Sequence, residues 1–158
     1  LVIPGLVRMQ ITAIMEGACK AQQKGFKPHP EIMVPLTMNA TELARIKPTY
    51  DEIVAEEFKK YNTSFPVKFG TMMEVPRACL TSDEMARIAE FYSFGTNDLH
   101  QMTLGLSRDD SEGTFLQNYY NWGLFKDSPF QTIDQNGVGK LMKSAVKNGR
   151  KTRKDLIV

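Results

Sequence analysis

Two carboxylates stand out for the chemistry they could support. Residues 91–94, Phe-Tyr-Ser-Phe, read as a buried strand, and the run stops at Gly95-Thr96-Asn97-Asp98-Leu99. That stop sets a flexible backbone, a hydroxyl, an amide and a carboxylate at one strand end. Upstream, Lys68-Phe69-Gly70-Thr71-Met72-Met73 runs mainly apolar and then presents Glu74, with Val75-Pro76 behind it. Taken singly, each acid reads as structural: a Glu before Val-Pro can bond the backbone of the next helix, and an Asp after Asn often caps a turn or helix. The pair, at the ends of two neighbouring strands, can hold a hard divalent cation, with a structural role for both acids as the equal alternative. Such a cation takes oxygen ligands, and two carboxylates leave positions for other oxygens and water.

The elements that must position these residues alternate between strand and helix. The spacing of Ile11, Ile14, Met15 and Ala18 predicts a helix over 9–24 with Gly25 as its stop. A buried strand is expected over 31–36, and a helix over 39–62 broken at Pro48, whose ring cannot continue the ladder. The next strand is 66–74, ended by Pro76. Thr81 and Glu84 have capping-box spacing at the start of a helix that carries Met85, Ile88 and Ala89 inward. The third strand is 91–95, followed over 99–130 by a long irregular or short-helical excursion rich in aromatics. Asn136-Gly137 marks a turn, a helix runs from Gly137 or Val138 to about Asn148-Gly149, and residues 155–158 look like the opening of a further strand. Such alternation implies α/β architecture: parallel strands with outer helices, as an eight-fold barrel or an open doubly wound sheet. Both gather ligands at the C-terminal strand ends, where Glu74 and residues 95–98 fall.

Composition narrows the classes. The 158 residues match one ordinary domain, with 42% hydrophobic and 24% charged residues. No apolar run approaches the ~20 residues that span a bilayer. The first residues lack the pattern of a secretory signal and the chain lacks an initiator Met, so a piece of a longer protein is expected. A net charge of +2 makes no case for nucleic acid or a membrane surface. The basic run over 140–154 (Lys140, Lys143, Lys147, Arg150, Lys151, Arg153, Lys154) reads as a solvated helix face, with a polyanion site as the lesser alternative. Cys19 and Cys79 match no ligand spacing and read as reduced, partly buried thiols.

Three motifs then carry a family resemblance. Glu31-Ile32-Met33-Val34-Pro35-Leu36, Gly70-Thr71-Met72-Met73-Glu74-Val75-Pro76-Arg77-Ala78 and Phe94-Gly95-Thr96-Asn97-Asp98-Leu99 resemble the phosphoenolpyruvate-utilising enzymes. Within that family, residues 101–110, Asp127-Ser128-Pro129-Phe130 and residues 134–139 are similar to the dikinase branch more than to the synthase or sugar-phosphotransferase branches. The resemblance runs from about Met9 onward. It implies that residues 1–158 are an incomplete PEP/pyruvate-binding domain, a partial (β/α)8 TIM barrel with its first and last strands absent. The activity implied is phosphoryl transfer between pyruvate and phosphoenolpyruvate, in which ATP, pyruvate and phosphate give AMP, phosphoenolpyruvate and diphosphate. It proceeds through a Mg²⁺-stabilised enolate and a phosphohistidine on another domain.

Residue by residue, the resemblance matches Glu74 and Asp98 to the Mg²⁺ ligands. It matches Glu74, Gly95, Thr96, Asn97 and Asp98 to substrate contacts. The implied partners are the phosphohistidine and ATP-binding domains of the same protein and a second copy in a homodimer, in the cytoplasm or in an organelle such as a glycosome or plastid. The acid/base Cys of the family is expected beyond Val158 and the phosphoryl-binding arginines on earlier strands, so these residues alone are expected to be inactive. The alternatives are the two sister branches and a non-catalytic assembly module.

Other residues have plainer readings. His100 departs from the small hydroxyl residue usual in the family after Asn-Asp-Leu. It reads as a neutral side chain facing solvent or packed in the loop, with proton donation as the sharper alternative. His29, between two prolines, is a loop residue. Arg77 is expected to pair with a nearby acid, and residues 107–110 to form a surface turn with local charge pairs or to bind phosphate. Tyr119, Tyr120, Trp122 and Phe125 read as core or subunit interface. The nine methionines fill irregular gaps in a core.

Overall fold

The computed structural model describes residues 2–158. It is a mixed α/β structure with a three-stranded parallel sheet, order β1-β2-β3, and helices packed against it. Helix α1 (Pro4–Gln23) precedes β1 (Glu31–Val34); α2 (Ala40–Tyr61) leads to β2 (Lys68–Met72); α3 (Pro76–Leu80) and α4 (Ser82–Met85) lead to β3 (Phe91–Ser93). Beyond β3 come α5 (Thr96–Leu104), α6 (Arg108–Glu112), α7 (Leu116–Asn121) and α8 (Val138–Thr152). Ile157 makes a parallel bridge to Phe91 on the far side of β3, where the final residues were expected to open a strand.

Several boundaries differ from the sequence reading for identifiable reasons. Helix α1 begins at Pro4 rather than residue 9, because proline at the first turn gives up only an N–H that has no helical partner. It ends as expected at Gly25, whose φ of 86° lets Gly25 N–H and Phe26 N–H bond back to the Gln22 and Ala21 carbonyls. Helix α2 runs unbroken through Pro48. Pro48 and Ala44 both lie on the exposed face, so the carbonyl freed by the missing N–H meets water. The buried stripe of Leu43, Ile46, Tyr50 and Ile53 is undisturbed on the other side.

The capping box sits at Asn39 and Glu42, not at Thr81 and Glu84. Thr81 instead donates its hydroxyl to the Arg77 carbonyl at 3.0 Å and closes α3. Helix α8 continues past Gly149 to Thr152. A side chain at 149 would press on Leu156 at 2.7 Å and Tyr92 at 2.9 Å, so this glycine serves close packing, not termination.

The core lies between the sheet and its helices, with Met15, Leu43, Ile53, Phe69, Met73, Cys79, Met85, Leu99, Val138 and Ala145 buried. Both cysteines are buried free thiols, and burial pushes Cys79 up to about 11. The cations of the basic run over 140–154 are exposed apart from the partly covered Arg153 just past α8, which donates to the Ala86 carbonyl at 3.1 Å. Among the described residues no helix is long and apolar enough to cross a membrane.

Candidate functional site

All three strands are shorter at their C-terminal ends than the sequence reading, because the residues beyond them leave the sheet to build one site. After β1 the chain turns at Leu36, whose φ of 52° is left-handed. Thr71 of β2 fixes this turn by donating to the Val34 carbonyl at 3.0 Å, and its hydroxyl lies 2.8 Å from that of the buried Thr37. The Leu36 N–H then donates to Glu74 Oε1 at 2.6 Å. Glu74 itself stands two residues past β2 and is only 5% exposed.

Gly95, two residues past β3, admits Glu74. A Cβ on residue 95 would overlap Glu74 Oε2 and lie 2.8 Å from the Glu74 Cβ, so no other residue fits without displacing the carboxylate. Residues 95–98 are not a plain loop: Thr96, Asn97 and Asp98 form the first turn of α5. First-turn amides have no intrahelical acceptor, and the helix dipole places partial positive charge there. Asp98 therefore sits at a favourable helix end, and its Oδ1 accepts from Gln101 Nε2 at 3.4 Å.

The two acids meet. Burial pushes the Glu74 carboxyl above the usual carboxylate range, and the neighbouring Asp98 pushes it further by charge repulsion and by hydrogen-bond contact. The Leu36 N–H opposes both. One oxygen of each acid is held by an N–H donor, Glu74 Oε1 by Leu36 and Asp98 Oδ1 by Gln101. Among the described residues Glu74 Oε2 and Asp98 Oδ2 meet no N–H donor. A buried Glu74 beside a half-buried Asp98 suits a small divalent cation, which removes the repulsion between the two carboxylates. Among the described residues no group of three His, Cys, Asp or Glu side chains converges, so such an ion would draw its other ligands from substrate and water.

The structure places Glu74 against Gly95 and beside Asp98, with Thr96 and Asn97 in the same first turn of α5. The sequence reading missed Leu36, whose contribution is a backbone N–H with no side-chain signal, and Gln101, whose place three residues after Asp98 on a helix was a readable cue. Among the described residues Arg77 pairs with no acid; its guanidinium donates to the Met38 carbonyl at 2.7 Å and steadies the β1–α2 turn. His100 does not face solvent. It is 2% exposed, with Nδ1 bonded to the Thr96 carbonyl at 2.6 Å and Nε2 accepting from Asp134 N–H at 3.0 Å. Asp134 in turn accepts from the Gly137 and Val138 N–H groups at the start of α8. His100 thus ties the residue 134 turn to α5, while His29 lies exposed in a loop.

The arrangement is a parallel α/β sheet with two acids and a helix N-terminus at its strand ends. Comparison with known proteins gives the family. The model of the PEP-utilising enzyme, PEP-binding domain, matches residues 1–154, and the chain belongs to that family. It is 44% identical over 156 residues to a pyruvate, phosphate dikinase of Giardia intestinalis, covering 99% of this chain and 18% of the relative. It is 49% identical over 155 residues to pyruvate, phosphate dikinase 2 of Oryza sativa subsp. japonica, covering 98% and 17%, and 45% identical over 154 residues to the enzyme of Clostridium symbiosum, covering 97% and 18%. The chain thus spans less than a fifth of the length of these relatives.

Proposed function

We propose that this chain is the part of a pyruvate, phosphate dikinase that binds pyruvate and phosphoenolpyruvate, with Glu74 and Asp98 holding Mg²⁺ and residues 95–97 receiving the substrate. The observation that carries this reading is the buried Glu74 carboxylate beside the half-buried Asp98, with one oxygen of each held by an N–H donor, against a glycine whose Cβ would overlap Glu74. The sequence similarity to dikinases supports the choice of reaction.

The chain's own groups have distinct tasks. Leu36 N–H and Gln101 Nε2 each hold one carboxylate oxygen and so orient the other. The first-turn amides of α5 suit the carboxylate of pyruvate, and burial around Glu74 strengthens each polar contact by excluding water. When bound, Mg²⁺ supplies positive charge against the oxygen that becomes negative as the methyl group loses its proton. In the whole enzyme that oxygen would accept the phosphoryl group of the phosphohistidine as its P–N bond breaks, a step to which this chain contributes the position of the substrate. Neither cysteine of this chain can move the methyl proton, since Cys19 and Cys79 are both buried in the core. The acid/base group, the phosphohistidine and the ATP site come from the rest of the enzyme.

A partial (β/α)8 barrel is the architecture we assign. The outer edge of β1 has no strand partner among the described residues, and a groove of about 750 Å³ runs between β1 and α1, lined by Leu6, Ile14, Ile32, Met33 and Val34. On the other side β3 meets Ile157. Parallel neighbours on both sides are what a barrel supplies. A homodimer in the cytoplasm or a plastid completes the reading.

In the full-length enzyme, Asp98→Asn and Glu74→Gln are expected to abolish pyruvate-dependent formation of AMP from ATP. Retention of that activity in either variant would overturn the assignment. The 158 residues alone are expected to turn over no pyruvate in the same assay, and turnover by this chain would contradict such a division of labour.

A further inference from the structure

The run Ser107-Arg108-Asp109-Asp110 has no part in the reading above, yet one of its residues reaches both polar ends of the site. Arg108 Nη1 donates to Asn97 Oδ1 at 3.3 Å. The backbone N–H of the same residue donates to Gln101 Oε1 at 2.8 Å, and Gln101 Nε2 is the donor on Asp98 Oδ1. We propose that Arg108 is a positioning residue with two arms: its guanidinium fixes the Asn97 amide, and its backbone N–H fixes the Gln101 amide that orients Asp98. The inference rests on reading Glu74 and Asp98 as cation ligands.

The geometry gives each arm a consequence. An Asn amide has an acceptor end and a donor end. With Oδ1 held by a cation, Asn97 has its NH₂ end left for a ligand, and two N–H donors select an anionic oxygen over a donor group. This is the chemistry needed to recognise the carboxylate of a 2-oxo acid. The second arm commits Asp98 Oδ1 and leaves Oδ2 for the ion.

Arg108 is itself held in place. Its Nε donates to Glu112 at 3.3 Å, and its guanidinium lies 5.4 Å from the Phe130 ring centroid. Ser107 fixes the start of α6 by accepting from Asp110 N–H at 3.3 Å. The planar fork of arginine is suited to hold several such contacts at once, which a lysine ammonium is not.

The two arms separate experimentally in the full chain. Arg108→Ala removes the guanidinium but keeps the N–H of residue 108. It is expected to weaken oxalate, a planar mimic of the pyruvate enolate, about tenfold on the Mg²⁺-loaded chain, while Mg²⁺ affinity changes less than about twofold. Gln101→Leu is expected to weaken Mg²⁺ itself about tenfold. A readout independent of both ligands is the side-chain amide resonance pair of Asn97 in a ¹⁵N-labelled sample: fixed in the parent chain, mobile in Arg108→Ala. Arg108→Lys, which keeps the charge and stem, is expected to show the same loss and serves if the alanine variant perturbs the fold.

Unchanged oxalate affinity and an unchanged Asn97 amide in both Arg108 variants overturn the proposal. Equal loss of Mg²⁺ and oxalate in a folded Arg108→Ala overturns the division into two arms. If the parent chain binds neither Mg²⁺ nor oxalate, the cation reading fails, and the Asn97 amide still decides whether Arg108 holds it.

Discussion

The strand-end site and the aromatic segment around α7 use opposite strategies. At the strand ends a polar group is buried under close constraint: Glu74 is 5% exposed, its Oε1 is held by Leu36, and a Cβ at Gly95 would overlap its Oε2. Around α7, large apolar residues stay near the surface. Phe115, Trp122 and Phe125 each pack on Tyr119 with ring centroids 5.1 to 6.1 Å apart, yet Trp122 is 69% exposed and Leu124 63%. Burial in this molecule follows the sheet, not aromatic content. Sensitivity to substitution should follow the same division.

The largest effect belongs to the acids. Asp98→Asn or Glu74→Gln is expected to weaken Mg²⁺ binding by about a hundredfold or more, read by calorimetry, because two carboxylates supply the protein's share of the ligands. Next comes Gly95→Ala. Its methyl displaces the Glu74 carboxylate, so Mg²⁺ affinity falls and the chain loses about 1–3 kcal/mol in urea unfolding. If Gly95→Ala leaves both unchanged, the close approach is not a constraint.

Glu74→Gln should act in the opposite direction on stability. Without the ion, Glu74 is a desolvated charge beside Asp98, and the amide still accepts from Leu36. The variant is expected to gain about 1 kcal/mol, a rise of a few degrees in Tm, while losing the metal. A variant less stable than the parent would show that the pair is not strained.

Smaller still is a pH effect from the core. The Cys79 thiol is raised by burial to about 11, so the unfolded chain ionises it first. Its contribution is intact below the ordinary thiol range, then lost as pH rises toward 11, and the Cys79→Ala variant lacks this loss. Parallel pH profiles for the two proteins in that window would remove the claim. Least of all, Trp122→Ser is expected to change stability by no more than about 0.5 kcal/mol and Mg²⁺ affinity not at all.

Much of this comparison was legible in the sequence. The strands announced themselves as short apolar runs, and each ended in the residues that make the site. What sequence could not show was how far each strand persists before leaving the sheet, because Leu36, Glu74 and Gly95 are set by contacts between strand ends. Helix boundaries failed where tertiary context outranked local preference. Pro48 was read as a break, but its exposed position lets water take the freed carbonyl. Gly149 was read as a stop, but Tyr92 and Leu156 pack against it. The aromatic run was read as core or subunit interface; Trp122, 69% exposed, is not core. His100 was read as solvent-facing or packed in the loop. It is buried because it has a partner on each nitrogen, one of them 34 residues away.

The central claim is that Glu74 and Asp98 act as one cation site with an oxygen from each. Calorimetric titration of this chain with Mg²⁺, then with oxalate on the Mg²⁺-loaded form, tests it most directly. We expect one Mg²⁺ per chain, oxalate binding that depends on the ion, and loss of both in Glu74→Gln and in Asp98→Asn alike. Mg²⁺ binding that survives either substitution, or oxalate binding without Mg²⁺, would contradict it.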